Sequence, residues 1–230
     1  MGQGWSNKST SSSSGVKSVT GLNTDNIDPE NPIVQISVDG TTITGDGTPA
    51  SPLQANFIPT TNYGLFAQTA NSTPITSGTE TSIIGNGVGT LSVPENGFSV
   101  GGSFRADFGG IMSCKNNETL TIKIKSGTTD LSISPLLQMP LTTNQVWLLN
   151  INFTVRKIGG LNTASIVVLS ELHVLKLASG TQQGFGWNTI NATTFDTTIL
   201  NTLDVTFQWG SNSPATNSIY SDIFVLNKIY

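Results

Sequence analysis

Charge is what this sequence has least of: Lys, Arg, Asp and Glu together supply 24 of its 230 residues, where an ordinary soluble domain carries roughly a quarter of its residues charged. With a formal net charge of −4, the chain offers no basic footprint for nucleic acid, which needs clustered Lys and Arg against phosphates. Cysteine occurs once, as Cys114. That excludes an intrachain disulfide framework and a multi-thiolate metal site, and leaves Cys114 to serve as a small buried apolar side chain. Histidine also occurs once, as His173, so no His-paired metal site can form, and any Ser/His/Asp or Cys/His arrangement must use this one residue. No stretch reaches the roughly 18 apolar residues of a membrane span. The opening MGQGWSNKSTSSSSGVKS has no apolar core of a secretory signal. Gly2 and Ser6 fit the loose myristoylation pattern, a match common by chance. No cofactor, metal or enzymatic activity is expected.

What the chain has instead is hydroxyl and amide. Ser, Thr and Asn make up 79 residues, and five N-x-[ST] sequons, at Asn7, Asn71, Asn117, Asn152 and Asn191, follow from that abundance. Hydrophobic residues at 36% still exceed what a disordered chain carries, so a core is affordable. Residues 1–18 read as a flexible arm, with STSSSSG at its centre and Trp5 as a lone aromatic able to anchor it. Residues 19–53 read as a small β module: Val34, Ile36 and Val38 alternate with polar residues, and Asp39-Gly40 suits a hairpin turn into Thr41–Thr44. Such a hairpin is marginal alone. Residues 54–81, broken by Pro59, Pro74 and Gly78, read as an extended connection with at most one strand.

From residue 82 the text becomes strand after strand. Leu120, Ile122 and Ile124 alternate with Thr121, Lys123 and Lys125. Trp147, Leu149, Ile151, Phe153 and Val155 form the longest alternation, and Leu203, Val205, Phe207 and Trp209 repeat it. Period two puts one face on a core and the other outside. Residues 165–178, SIVVLSELHVLKLA, also fit a helical face through Val168, Leu172 and Leu175, but their β-branched start favours a long strand. The predicted fold is therefore all-β, an antiparallel jelly-roll sandwich over residues 82–230. The closing SIYSDIFVLNKIY is an apolar strand, and its residues Ile223, Phe224, Val225, Leu226, Ile229 and Tyr230 are candidates for a subunit interface, because an apolar edge must be covered.

Chemistry is thinly signalled. Asp25, Asp28 and Glu30 lack calcium-loop spacing and read as a Pro-rigidified turn. Arg105 with Asp107, Asp196 with Asp204, and His173 beside Glu171 read as solvated strand faces or a partly buried histidine. Gly85, Gly87 and Gly89 lack the lysine of a phosphate loop and read as a tight β connection. Phe185, Trp187 and Asn188, in the run GFGWN, are the best ligand candidates: an aromatic face plus amides in a Gly-rich loop can stack a sugar ring, though Trp187 plugging the sandwich rim is an equal alternative.

The segment SVTGLNTDNIDPENPIVQISVDGTTITGDGTPASPL, residues 18–53, resembles an N-proximal module of bacteriophage and viral fibre and spike proteins. SFRADFGGIMSCKNNETLTIKIKSG, with NTLDVTFQWG and SIYSDIFVLNKIY, is similar to the trimeric TNF/C1q-like jelly-roll knobs of such proteins. The resemblance implies a homotrimeric virion surface protein, a spike or head or tail fibre. Its N-terminal arm would hold other virion proteins and its head would contact a host surface glycan or protein. A capsid cement protein without a receptor, and a carbohydrate-binding jelly roll, are the alternatives it leaves open.

Overall fold

The computed structural model describes residues 64–177, 179–211 and 216–230, with short pieces at 23–25, 33–35, 43–44, 50, 52 and 54–55. The chain divides into two compact units, Met1–Thr60 and Thr61–Tyr230. In the first, β1 (Asn23–Asp25) pairs with β2 (Ile33–Gln35), and β3 (Ile43–Thr44) pairs with β4 (Gln54–Ala55). Val34, expected to pair through a hairpin turn with Thr41–Thr44, pairs with Thr24, and Thr44 pairs with Gln54. Trp5, the arm at 1–18, Asp28, Glu30 and Asp39-Gly40 lie outside the described residues.

The second unit holds β5 (Leu65–Gln68), β6 (Thr81–Ser82), β7 (Gly87–Thr90), β8 (Ser92–Val93), β9 (Ser103–Cys114), β10 (Glu118–Ser126), β11 (Thr129–Ile133), β12 (Leu137–Met139), β13 (Thr142–Lys157), β14 (Ser165–Leu175), β15 (Gln182–Ala192), β16 (Asn201–Trp209) and β17 (Ser218–Lys228). One sheet runs β15-β14-β13-β9-β17-β5-β7 and the other β11-β10-β16-β6, with β12 on β10 and β8 on β16. The named pairings are antiparallel. The last two strands of this unit each sit beside one of its first two, β17 between β9 and β5 and β16 between β10 and β6. That interleaving makes the all-β sandwich a jelly roll.

The alternation seen in the text decides the faces. Leu120, Ile122 and Ile124 on β10, Leu203, Val205, Phe207 and Trp209 on β16, and Trp147, Leu149, Ile151, Phe153 and Val155 on β13 all bury their apolar side chains. Across the gap between sheets Trp147 meets Phe207 at 5.4 Å between ring centroids. Within the larger sheet Phe108 stacks on Phe224 at 4.0 Å and Phe104 on Phe153 at 4.7 Å, the cross-strand aromatic pairs that stabilise a sheet face. Two of the buried indole N–H groups are satisfied, Trp147 donating to the Tyr220 carbonyl and Trp209 to that of Ile75, while that of Trp187 has no partner. Residues 165–175 form the strand β14, its β-branched residues Ile166 and Val168 fully buried, and Cys114 is buried as expected. Burial pushes the Cys114 thiol up.

The sandwich begins earlier than residue 82. β5 pairs with β17, Ile75 bridges to Ile219, and Ser72 donates and accepts at Ser221. The Ser221 hydroxyl donates to the Ile83 carbonyl at 2.6 Å, and Gln68 Nε2 donates to the Ser221 carbonyl at 2.9 Å. Residues 54–81 read as a connection because their apolar positions are single and spaced by turn residues, while their anchoring is made by hydrogen bonds to a strand about 150 residues away. The central register also demands a glycine. At Gly110 a Cβ would lie 2.0 Å from the Tyr220 carbonyl oxygen, where β17 bulges between Ser221 and Ile223.

One cluster of this unit's charges lies on the smaller sheet. Lys123 and Lys125 reach Glu80 at 2.8 and 2.5 Å and Asp130 at 3.3 and 3.5 Å, and Thr206 donates to Glu80 at 3.0 Å. Lys123 and then Lys125 hold the Glu80 carboxyl well below its ordinary value, at about 2. Burial pushes the Glu118 carboxyl up, but hydrogen bonds from Ser211, Lys115 and the Thr119 amide outweigh it and bring it to about 2.

Gly110→Ala is expected to cost about 2–3 kcal/mol, read as a fall in melting temperature of roughly 5–10 °C. Gly186→Ala, whose new Cβ would meet only the Ser170 carbonyl at 3.9 Å, should shift it by less than about 1 °C. Because Glu80 and Glu118 have lowered folded values, their stabilisation is full above about pH 4.5 and is lost as pH falls toward about 2. Melting curves across that window should therefore drop steeply. With the partly exposed Glu80→Gln the drop should be shallower, by on the order of 1 kcal/mol.

Candidate functional site

GFGWN is not a loop. It lies in the middle of β15, the strand at one end of the larger sheet. Trp187 faces inward and is 8% exposed, so its ring belongs to the core and offers no face to a sugar; the rim-plug alternative is the one realised. Asn188 is exposed, on the opposite side of the strand from Trp187. Phe185, half-buried, shares Trp187's side and lines an open groove of about 660 Å³. The glycines mistaken for loop residues mark exposed strand positions opposite Glu171 and His173.

Three segments far apart in sequence build that groove. Asn116 and Asn117 come from the β9–β10 turn, where Asn117 holds a φ of +61° that Asn tolerates. Residues 135–141 form one wall, running through β12 between Pro135 and Pro140. Lys176, Gln183 and Phe185 come from the end of β14 and from β15. Gln183 Nε2 donates to the Gln138 carbonyl at 3.4 Å, Ser132 and Thr189 share a hydroxyl hydrogen bond of 2.7 Å, and Thr194 donates to the Asp130 carbonyl at 3.2 Å. These contacts tie β15 and the turn beyond it to β11 and β12. Of the groove's lining, only Phe185 carried a signal in the sequence. The rest are ordinary turn and strand residues that become a set only when the sandwich closes.

A second feature is the outer face of the larger sheet. Leu148, Gly109 and Ile223 are aligned across β13, β9 and β17. A Cβ on Gly109 would lie 3.1 Å from Ile223 Cγ2 and 3.2 Å from Leu148 Cδ2, so the two side chains lean together over the glycine. The adjacent row is Val146, Ile111 and Tyr220, and on the other side the row is Asn150, Asp107, Val225, Ala67 and Val88, so the strip continues only through β17, β5 and β7, beside the Arg105–Asp107 pair. Leu148, Val146, Ile223 and Val88 are 44, 51, 55 and 62% exposed. Of the interface residues expected on β17, Phe224 and Leu226 are corrected by this geometry: they are 2 and 4% exposed in the chain's own core and present nothing to a second subunit. Ile223 and Val225 face out, and Ile229 and Tyr230 are exposed beyond the strand, where the Tyr230 carbonyl accepts from Ser103 N–H.

The remaining candidates are dispersed. Arg105 pairs with Asp107 at 2.9 Å on an open face. Asp196 accepts from Thr198 in its own turn, while Asp204 accepts from Ser82 at 2.6 Å and has its carboxyl pushed up by burial. His173 stands 3.9 Å from Glu171 with both side chains open to solvent. Gly87 and Gly89 belong to the strand β7. Among the described residues no three His, Cys, Asp or Glu side chains form a metal-binding group, and no helix is long and apolar enough to cross a membrane.

No protein-family model and no curated protein matches the chain. Among solved structures, lectin II from Ulex europaeus matches over 70% of this chain and 99% of its own, at 8% identity and a TM-score of 0.30. A likeness at that level says nothing about what this chain binds.

Proposed function

We propose that this chain is a non-enzymatic structural protein of a virion surface, a homotrimeric spike or fibre whose head takes part in host attachment. The observation that carries the reading is the apolar strip across β13, β9, β17, β5 and β7. Monomeric soluble proteins seldom leave a contiguous apolar band open, and a band on one face of one sheet is what a closed ring of identical subunits covers. Interface cores are also depleted in charge, which is the chain's most pronounced compositional feature. The resemblance of residues 18–53 and of the head to fibre and spike text supplies the setting: the N-terminal arm attaches to other virion proteins and the sandwich projects outward.

Light scattering on the purified full chain should return three times the 24.2 kDa chain mass. Leu148→Asp combined with Ile223→Asp, both on the open face, should yield a folded monomer with its β circular dichroism retained. A wild-type chain that stays monomeric at micromolar concentration would sink the reading.

A further inference from the structure

Attachment needs a place to touch the host, and the groove beside β15 has the composition for one. We propose that it binds a short oligosaccharide bearing one acidic group, with Phe185 against the sugar ring, Asn116, Asn117 and Gln183 on its hydroxyls, and Lys176 on its carboxylate. The inference rests on the attachment half of the proposed function and gives it a ligand class and a location.

A groove of about 660 Å³ is within the usual range for small-ligand sites, roughly 300–1,000 Å³. Its wall combines the amides of Asn116, Asn117, Gln138 and Gln183 with a larger number of apolar side chains, and holds no carboxylate among the lining residues. Amides donate and accept at once, which matches the hydroxyls of a sugar, each also donor and acceptor. Phe185 is held by the core on one side and lines the groove with the rest of its ring. Lys176 is the one cation in the lining and, like Lys157 and Lys228, forms none of the ion pairs found among the described residues. A single unneutralised cation, in a lining free of acid on a chain of net charge −4, favours one anionic substituent over none. It leaves a polyanion short of partners.

The test is calorimetric titration of the full chain with sialyllactose, a glucuronate-containing hyaluronan tetrasaccharide and lactose, with light scattering on the same samples. Wild type should bind at least one of the acidic probes tenfold or more tighter than lactose. Lys176→Gln should abolish that preference while leaving lactose unchanged. Phe185→Leu, which keeps the apolar bulk and should keep the melting temperature, should weaken all binding about tenfold. Absence of binding by all three probes at millimolar concentration overturns the site, as does binding that both variants leave untouched. A trimer that binds nothing defeats the groove proposal alone, and a monomer that binds the acidic probe supports the groove while defeating the trimer.

Discussion

Everything in the sandwich depends on one strand being in place. β17 lies between β9 and β5, so the larger sheet is two pieces until residues 218–228 arrive. Its side chains Ile219, Phe224 and Leu226 then fill the core beneath, and Ser221 gathers Gln68, Ser72 and Ile83 to itself through hydrogen bonds spanning about 140–150 residues of sequence. Contacts so distant in the chain must meet the entropy of closing a long loop before they return any stabilisation, and β topologies of high contact order fold slowly for that reason. The bulge at Ser221 and the bare backbone of Gly110 are the local fittings that let this late strand sit close enough to pair.

The same strand also sets the chemistry of the outer face. Because the bulge between Ser221 and Ile223 shifts the phase of alternation, Ile223 and Val225 are turned outward while Phe224 and Leu226 are turned in. The two sheets consequently differ outside as much as they agree inside. The smaller one carries Lys123, Lys125, Glu80 and Asp130 in mutual contact, a cluster satisfied within the chain that holds the segment before β6 against the sheet. The larger one carries aliphatic side chains leaning over Gly109, with Arg105 and Asp107 already neutralised by each other. Charge is thus arranged differently on the two: the smaller sheet gathers it into one cluster, while the larger carries Arg105, Asp107, Arg156 and Glu171 beside its apolar strip.

Much of this was legible before folding and some was not, for physical reasons. β10, β13 and β16 could be read because each buries one face, and a half-buried strand writes its burial as period two. β14 was readable only by its β-branched start, since Val168, Leu172 and Leu175 satisfy a helix as well as a strand. β5 lies in the stretch read as a connection with at most one strand, and neither its pairing nor the bridge at Ile75 could be placed, because both depend on a distant partner, which leaves no local pattern. The closing run was read as interface throughout because it is apolar on both faces, and no pattern in the text distinguishes a side chain that fills its own core from one that meets a neighbour. GFGWN was read as a loop because two glycine-aromatic pairs imitate turn chemistry; in the sheet the glycines occupy exposed positions on one side while Phe185 and Trp187 take the other. The groove was hardest, since its members come from the β9–β10 turn, the stretch around β12 and the β14–β15 end.

Strand order decides whether the two surface features can serve one purpose. The apolar strip runs from β13 through β9 and β17 to β7, whereas the groove is built at β15, at the opposite end of the sheet beyond β14. On the proposed trimer, copies meeting through the strip leave the β15 end of each sheet toward the outside, with three grooves on one rigid body. A shallow polar groove holding one sugar through a single cation and a few amides is weak by itself, because each hydrogen bond formed replaces one to water. Tethering three such grooves raises the effective concentration of the second and third contacts to about the millimolar range, and overall avidity can exceed a single site's affinity by roughly a hundredfold or more. A charge-poor surface adds no long-range steering of its own, so attachment by such a particle would rest on the number of grooves engaged rather than on the strength of any one.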